Sequence, residues 1–184
     1  MAGRPFSFYD RDGFTAAQLS SRLSAMEIFW SELSAGIPDG RRLVVIVIRL
    51  FAATLLGAAI GYERETAGKA AGLRTHILVT SGTCVFILAG LGAGMGSDAL
   101  SRVIQGVITG IGFIGAGSIL KKESEEYVQG ITTSAGIWMA AAIGVTVGLG
   151  GLGLAIMATL LSLIVLRVTL WLEDPLTKSK SRQK

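Results

Sequence analysis

From Tyr127 to Leu166 the chain carries no charged side chain. A helix rises 1.5 Å per residue, so one helix over that run would extend about 60 Å. That is twice the roughly 30 Å hydrocarbon core of a bilayer. Gly148, Gly150, Gly151 and Gly153 lie in the middle of the run. Glycine tolerates the backbone angles that a helix end requires, so the run predicts two helices with a tight turn between them. Three further apolar stretches precede it: Leu43–Tyr62, interrupted only by Arg49, then Ile77–Ser97 and Val103–Leu120, both uncharged. The predicted spans are 43–62, 77–96, 103–120, 131–148 and 152–170. These runs are continuous and do not alternate, which argues against a membrane β-barrel. Charged residues make up 16% of the chain, against roughly 25% in soluble domains. The expected fold is an all-α integral membrane bundle of five transmembrane helices. It divides into an N-terminal segment (1–42), the membrane domain (43–172) and a basic tail (173–184).

Lys and Arg counts set the expected orientation. Ten of them, from Arg64 through Lys184, fall in the loops and tail that five spans place on one side; six fall on the other. The C-terminus is therefore expected in the cytoplasm and the N-terminus outside. Arg41 and Arg42, beside the first span, run against this count. The basic tail suits an anionic inner leaflet. No basic domain or aromatic platform accompanies it, so nucleic acid is not expected as a partner. The N-terminal segment lacks a signal-peptide pattern. Leu19, Leu23, Met26, Trp30 and Leu33 fall on one face of a helix, which predicts an interfacial helix on the bilayer surface or a seam for another subunit. The single cysteine, Cys84, excludes an intramolecular disulfide and reads as a small packing residue within a span.

The 25 glycines need a reason. Helices in lipid associate by close packing, and small residues let backbones approach. Gly57 and Gly61, Gly90 and Gly94, Gly92 and Gly96, Gly106 and Gly110, and Gly144 and Gly148 form GxxxG pairs. Gly112, Gly115 and Gly117 extend the series in the third span. They are expected to be contact stripes, some of them between copies of the chain in a homo-oligomer, most simply a dimer. So dense a run of glycine, from Gly106 to Gly117, also weakens a helix, so the third span could instead line a transport path. Gly110–Gly115 spells GxGxxG, but inside an apolar span it is no dinucleotide motif.

Ionisable residues in or beside the spans are the functional candidates. The outer cluster is Arg49, Asp98, Arg102 and Gln105, with an Arg49–Asp98 ion pair as the economical arrangement. The inner cluster is Glu63, Arg64, Glu65, Arg74, Thr75, His76, Thr132 and Thr133. A hard cation such as Mg²⁺ would want one or two carboxylates, and Glu63, Glu65 and Asp98 are the candidates. Residues two apart on a helix do not face each other, so Glu63 and Glu65 would need a bend to share an ion. His76 has no second His or Cys at metal-ligand spacing. No Ser, His and Asp pair as nucleophile and base, so an enzyme is not expected.

Five blocks carry a family resemblance: Gly61-Tyr62-Glu63-Arg64-Glu65, Ala71-Gly72-Leu73-Arg74-Thr75-His76, Asp98 with Arg102, Gly110-Ile111-Gly112-Phe113-Ile114-Gly115-Ala116-Gly117, and Gly130-Ile131-Thr132-Thr133 running on to Trp138. In this order, across roughly 49–166, they resemble the membrane domain of the MgtC/SapB family. The resemblance implies a bacterial inner-membrane protein of about five helices with an outside N-terminus. It implies a link to growth in low Mg²⁺ and to survival in acidic or host environments. It further implies regulation of membrane machinery, including the F-type ATP synthase, with Mg²⁺ or small-ion transport as the alternative. Many members continue into a cytosolic domain after the last helix, whereas this chain ends at Lys184. No resident cofactor is expected, Mg²⁺ being the one candidate ion.

Overall fold

The computed structural model describes residues 27–31, 39–121 and 128–180, with side chains described for 27–31, 39–119 and 129–168. The chain divides into two units, 1–47 and 48–184. In the first unit residues 27–31 are helical, and the Phe29 and Trp30 rings meet edge to face with centroids 5.8 Å apart. Of the proposed amphipathic seam, Leu19, Leu23, Met26 and Leu33 lie outside the described residues. Helix α1 (Gly40–Thr66) begins here. The Asp39 carboxylate accepts the Arg42 backbone N–H at 3.1 Å, which satisfies one of the free donors of a helix start.

In the second unit α1 continues into α2 (Leu73–Gly92) and α3 (Ser97–Gly117). The strands β1 (Leu120–Lys121) and β2 (Val128–Gln129) follow, then α4 (Ile131–Leu149) and α5 (Leu152–Lys180). The result is an all-α membrane bundle. Helices α1 to α4 are each long and apolar enough to cross a bilayer, while the apolar part of α5, Leu152–Val168, is shorter. The predicted spans match these helices one for one. Several boundaries need correction. Helix α5 runs on to Lys180, past the predicted end at 170 and into the segment expected as a tail. Helix α3 starts at Ser97, earlier than expected, because Asp98 and Arg102 sit exposed on its first turns. Leu120 leaves the helix for an antiparallel pairing with Gln129.

Helix α4 occupies the centre. Its residues Ile137, Ala140, Ala141, Ile143 and Val147 are buried. It packs on α2, α3 and α5. Glycine decides how closely. A Cβ on Gly144 would stand 2.0 Å from Thr83 Oγ1 and 2.1 Å from the Thr80 carbonyl oxygen. One on Gly148 would stand 2.7 Å from Ile87 Cβ. On the other flank of α2, a Cβ on Gly57 would meet the His76 carbonyl at 2.8 Å, and one on Gly61 would meet Leu73 Cα at 2.7 Å. So α2 lies between two glycine-lined surfaces, on α1 and on α4. Thr83 Oγ1 also reaches the Ala141 carbonyl across the contact at 3.2 Å.

The expected stripe in α3 is not an internal contact. Among the described residues, Cβ positions on Gly106, Gly110, Gly112 and Gly117 meet nothing within 4 Å, and only Gly115 of that series touches a neighbour, Ser134. Among the described residues Gly92, Gly94 and Gly96 likewise meet no neighbour within 4 Å, and Gly94 adopts φ +73° in the turn after α2. The turn expected at 148–153 is present, with Gly150 at φ +94° ending α4.

Candidate functional site

Polar chemistry inside the bundle gathers where α1 ends and α2 begins. Glu63 and Arg64 are adjacent on α1, 4% and 1% exposed. Arg64 donates to Glu63 through both Nε and Nη2, the latter at 2.7 Å to Oε1. This fork geometry is the strongest form of the guanidinium–carboxylate pair. In a water-poor interior either charge alone would be costly, so the two are stable there only together.

Glu65, two residues on, points elsewhere, as the helical spacing requires. Its Oε2 accepts the Leu73 backbone N–H at 2.8 Å. A carboxylate from the end of α1 thus caps the start of α2, where free N–H groups and the helix dipole favour negative charge. Gly72 makes room for it: a Cβ there would lie 2.8 Å from Glu65 Oε2.

His76 is fully buried one turn into α2. Its Nδ1 lies 2.9 Å from the Gly72 carbonyl, the geometry of an Nδ1–H donor, which leaves Nε2 as the lone-pair nitrogen. Nε2 is buried and has no hydrogen-bond partner among the described residues. It faces α4 at Gly136, where a Cβ would stand 3.3 Å away. Below it Thr80 Oγ1 donates to the His76 carbonyl at 2.7 Å. Thr133 is buried, Thr75 half-buried, and Arg74 and Thr132 are exposed. Of the expected inner cluster the fold therefore brings Glu63, Arg64 and His76 inside, uses Glu65 as a cap, and leaves Arg74 and Thr132 outside.

The carboxylates do not make a cradle for a hard cation. Both Glu63 oxygens face Arg64, and Glu65 is committed to α2. Asp98 sits at the opposite end of α2, about 30 Å away along a 20-residue helix. Among the described residues no three His, Cys, Asp or Glu side chains come together as a metal site.

The outer cluster is corrected more sharply. Arg49 does not pair with Asp98. Its Nη1 donates to the Gly148 carbonyl at 2.7 Å, at the C-terminal end of α4, where unsatisfied carbonyls and the helix dipole favour a cation. Gly150 leaves the space, since a Cβ there would be 2.6 Å from Arg49 Nη2. Asp98, Arg102 and Gln105 are exposed, and among the described residues Asp98 and Arg102 form no ion pair. Arg49→Leu should therefore cost about 1.5–3 kcal/mol, the range for a charge-assisted hydrogen bond. Asp98→Ala should stay within about 0.5 kcal/mol of wild type. Denaturant unfolding in detergent micelles checks both, and the double mutant should be additive within about 0.5 kcal/mol. A coupling above that would restore the Arg49–Asp98 pair.

Several contributors carried no motif. Ser134 donates to the Gly115 carbonyl and lies 2.8 Å from Ser118 Oγ, tying α3 to α4. Thr80, Thr83 and Gly136 complete the α2–α4 contact. Hydroxyls within apolar runs are the signal that could have found them, since a span has few other reasons to hold them.

The fold and these polar ends define the class: a multi-pass helical membrane protein with a buried ion pair where its first two long helices meet. The MgtC family matches residues 50–174, and the chain belongs to that family. YhiD of Escherichia coli (strain K12), whose name carries a provisional magnesium-transporter assignment, is 41% identical over 129 residues, covering 66% of this chain and 59% of the relative. Protein SrpB of Synechococcus elongatus is 40% identical, covering 64% of this chain and 71% of the relative. Protein MgtC of Salmonella typhimurium is 42% identical over 117 residues, covering 64% and 49%. The chain thus spans between about half and seven tenths of these relatives. No solved structure gives a significant match.

Proposed function

We propose that this chain serves Mg²⁺ homeostasis as a regulator of other membrane machinery, with its N-terminus outside and its C-terminus in the cytoplasm. Family membership and the provisional name of YhiD support the link to Mg²⁺. The excess of Lys and Arg on one side of the spans supports the orientation. The observation that carries the regulatory reading is the state of the inner carboxylates: Glu63 is closed on Arg64 and Glu65 on the α2 backbone. A route for a divalent cation would have to break both. The partner is a second membrane assembly, and the family resemblance favours the F-type ATP synthase.

Growth and flux separate this reading from transport. Expression in a strain lacking its own family members should restore growth at limiting Mg²⁺. The purified chain in vesicles loaded with a Mg²⁺-sensitive dye should give no flux above protein-free vesicles. Flux that disappears in Glu63→Gln would overturn the regulatory reading in favour of transport. Failure to restore growth would overturn the Mg²⁺ link itself.

A further inference from the structure

We propose that α5 holds an anionic phospholipid, with the lipid phosphate on Arg167 and an acyl chain along Leu160, Leu163 and Ile164. These four residues and Val168 line an open cavity of about 380 Å³. They recur every three or four residues, which puts them on one stripe of the helix. A different side of α5 serves the bundle, where Ala155, Thr159 and Leu166 are buried.

Arg167 is exposed, and among the described residues it forms no ion pair. The residues three and four positions away are Leu163, Ile164, Leu170 and Trp171, so its own helix offers no acid within reach. Its guanidinium presents five donors in a planar fork that matches phosphate. The rest of the cavity is aliphatic. An occupant must therefore carry an anion and hydrocarbon in one molecule. Inorganic phosphate supplies only the first, and an uncharged chain only the second. An anionic phospholipid supplies both.

The dimensions agree. From Leu160 to Val168 the helix rises about 12 Å, within the roughly 15 Å that one leaflet contributes to a bilayer core of about 30 Å. The apolar part of α5 ends at Val168. Arg167 thus stands at the headgroup end of the stripe, and the acyl chain runs back toward Leu160. Basic pockets beside membrane helices hold anionic headgroups in this way. A partner helix would have to bring a carboxylate to the depth of Arg167, which is costly beside lipid; a lipid phosphate is already there. The site does not depend on the Mg²⁺ reading, since its readout is bound lipid.

Native mass spectrometry of the full chain tests this, with phosphatidylglycerol or phosphatidylcholine of the same acyl chains added in detergent. The wild type should retain one phosphatidylglycerol about fivefold more than phosphatidylcholine, the factor that one basic residue adds at an anionic surface. Arg167→Gln should erase that preference. Ile164→Trp fills the cavity and leaves the charge, so it should lower retention of both lipids. Lys69→Gln removes an exposed cation outside the cavity and should leave the preference intact. All three variants should melt with wild type in lipid-free detergent, since each changes an exposed side chain. Equal retention of the two lipids by wild type would overturn the proposal, as would a preference that survives Arg167→Gln or disappears in Lys69→Gln. Undiminished retention in Ile164→Trp would remove the cavity from the account. Displacement of the lipid by inorganic phosphate would reduce the site to a bare anion site. A wild-type dimer that separates in Arg167→Gln would give the face to a second copy.

Discussion

Gly144→Ala should abolish the folded bundle. A single methyl is rarely so damaging, but here its position is already occupied. The added Cβ would stand 2.0 Å from Thr83 Oγ1 and 2.1 Å from the Thr80 carbonyl oxygen. The hydroxyl could rotate away; the carbonyl belongs to the backbone of α2 and can move only with its helix. Moving α2 away from α4 would press it into α1 at Gly57, where the tolerance is also small. Overpacking usually costs about 1–3 kcal/mol, and this site should exceed that range. The measurement is the yield of monodisperse protein in detergent and its melting temperature. Gly153→Ala is the control. Its Cβ meets nothing within 4 Å among the described residues, and alanine is favoured over glycine inside a helix by up to about 1 kcal/mol. A Gly144→Ala protein that melts with wild type would mean that α2 and α4 are not in the described register.

Glu63→Ala should be nearly as severe, for an electrical reason. It leaves the Arg64 guanidinium, 1% exposed, without its counter-charge. Losing one partner of a buried pair costs about 3–5 kcal/mol, whereas replacing both by apolar residues of similar size is often neutral. Glu63→Leu with Arg64→Leu should accordingly recover most of the stability lost in Glu63→Ala, read from denaturant midpoints in the same detergent. If the double variant is as unstable as Glu63→Ala, the pair contributes through its shape and not through its charges. The double variant also separates stability from function. A folded chain that no longer restores growth at limiting Mg²⁺ would place the ion pair in the activity itself.

The sequence made the helices legible because bilayer thickness imposes a length and excludes charge. Five apolar runs therefore became five helices, and the glycine cluster at 148–153 became their tight turn. Glu63, Arg64 and His76 were legible as candidates because they bracket the boundary between two spans, and all three are buried there. The sequence misled wherever a partner had to be chosen. Arg49 found a main-chain carbonyl at Gly148, and every residue has one of those, so no side-chain pattern announces it. Asp98, the carboxylate that the sequence offered, lies on the exposed start of α3. GxxxG spacing reports only that a backbone can be approached. It served inside the chain at Gly57, Gly61, Gly144 and Gly148, but it could not say that Gly106 and Gly110 face outward. Glu63 and Glu65 look like a pair of ligands when read as letters, and more than half a turn of helix between them sends them to different tasks.

The seating of α2 between glycines on both sides has a mechanical consequence. Where side chains meet side chains, a helix can slide by small rotamer changes. Where backbone meets backbone, a shift of one residue brings a side chain into a space made for none. Helix α2 is thus keyed like a toothed bar into α1 on one flank and α4 on the other, with Thr83 as a latch. From residue 48 onward these three helices travel as one slab. Helix α3 joins this slab by a different kind of contact, a hydroxyl bridge in which Ser134 of α4 meets the Gly115 carbonyl and Ser118.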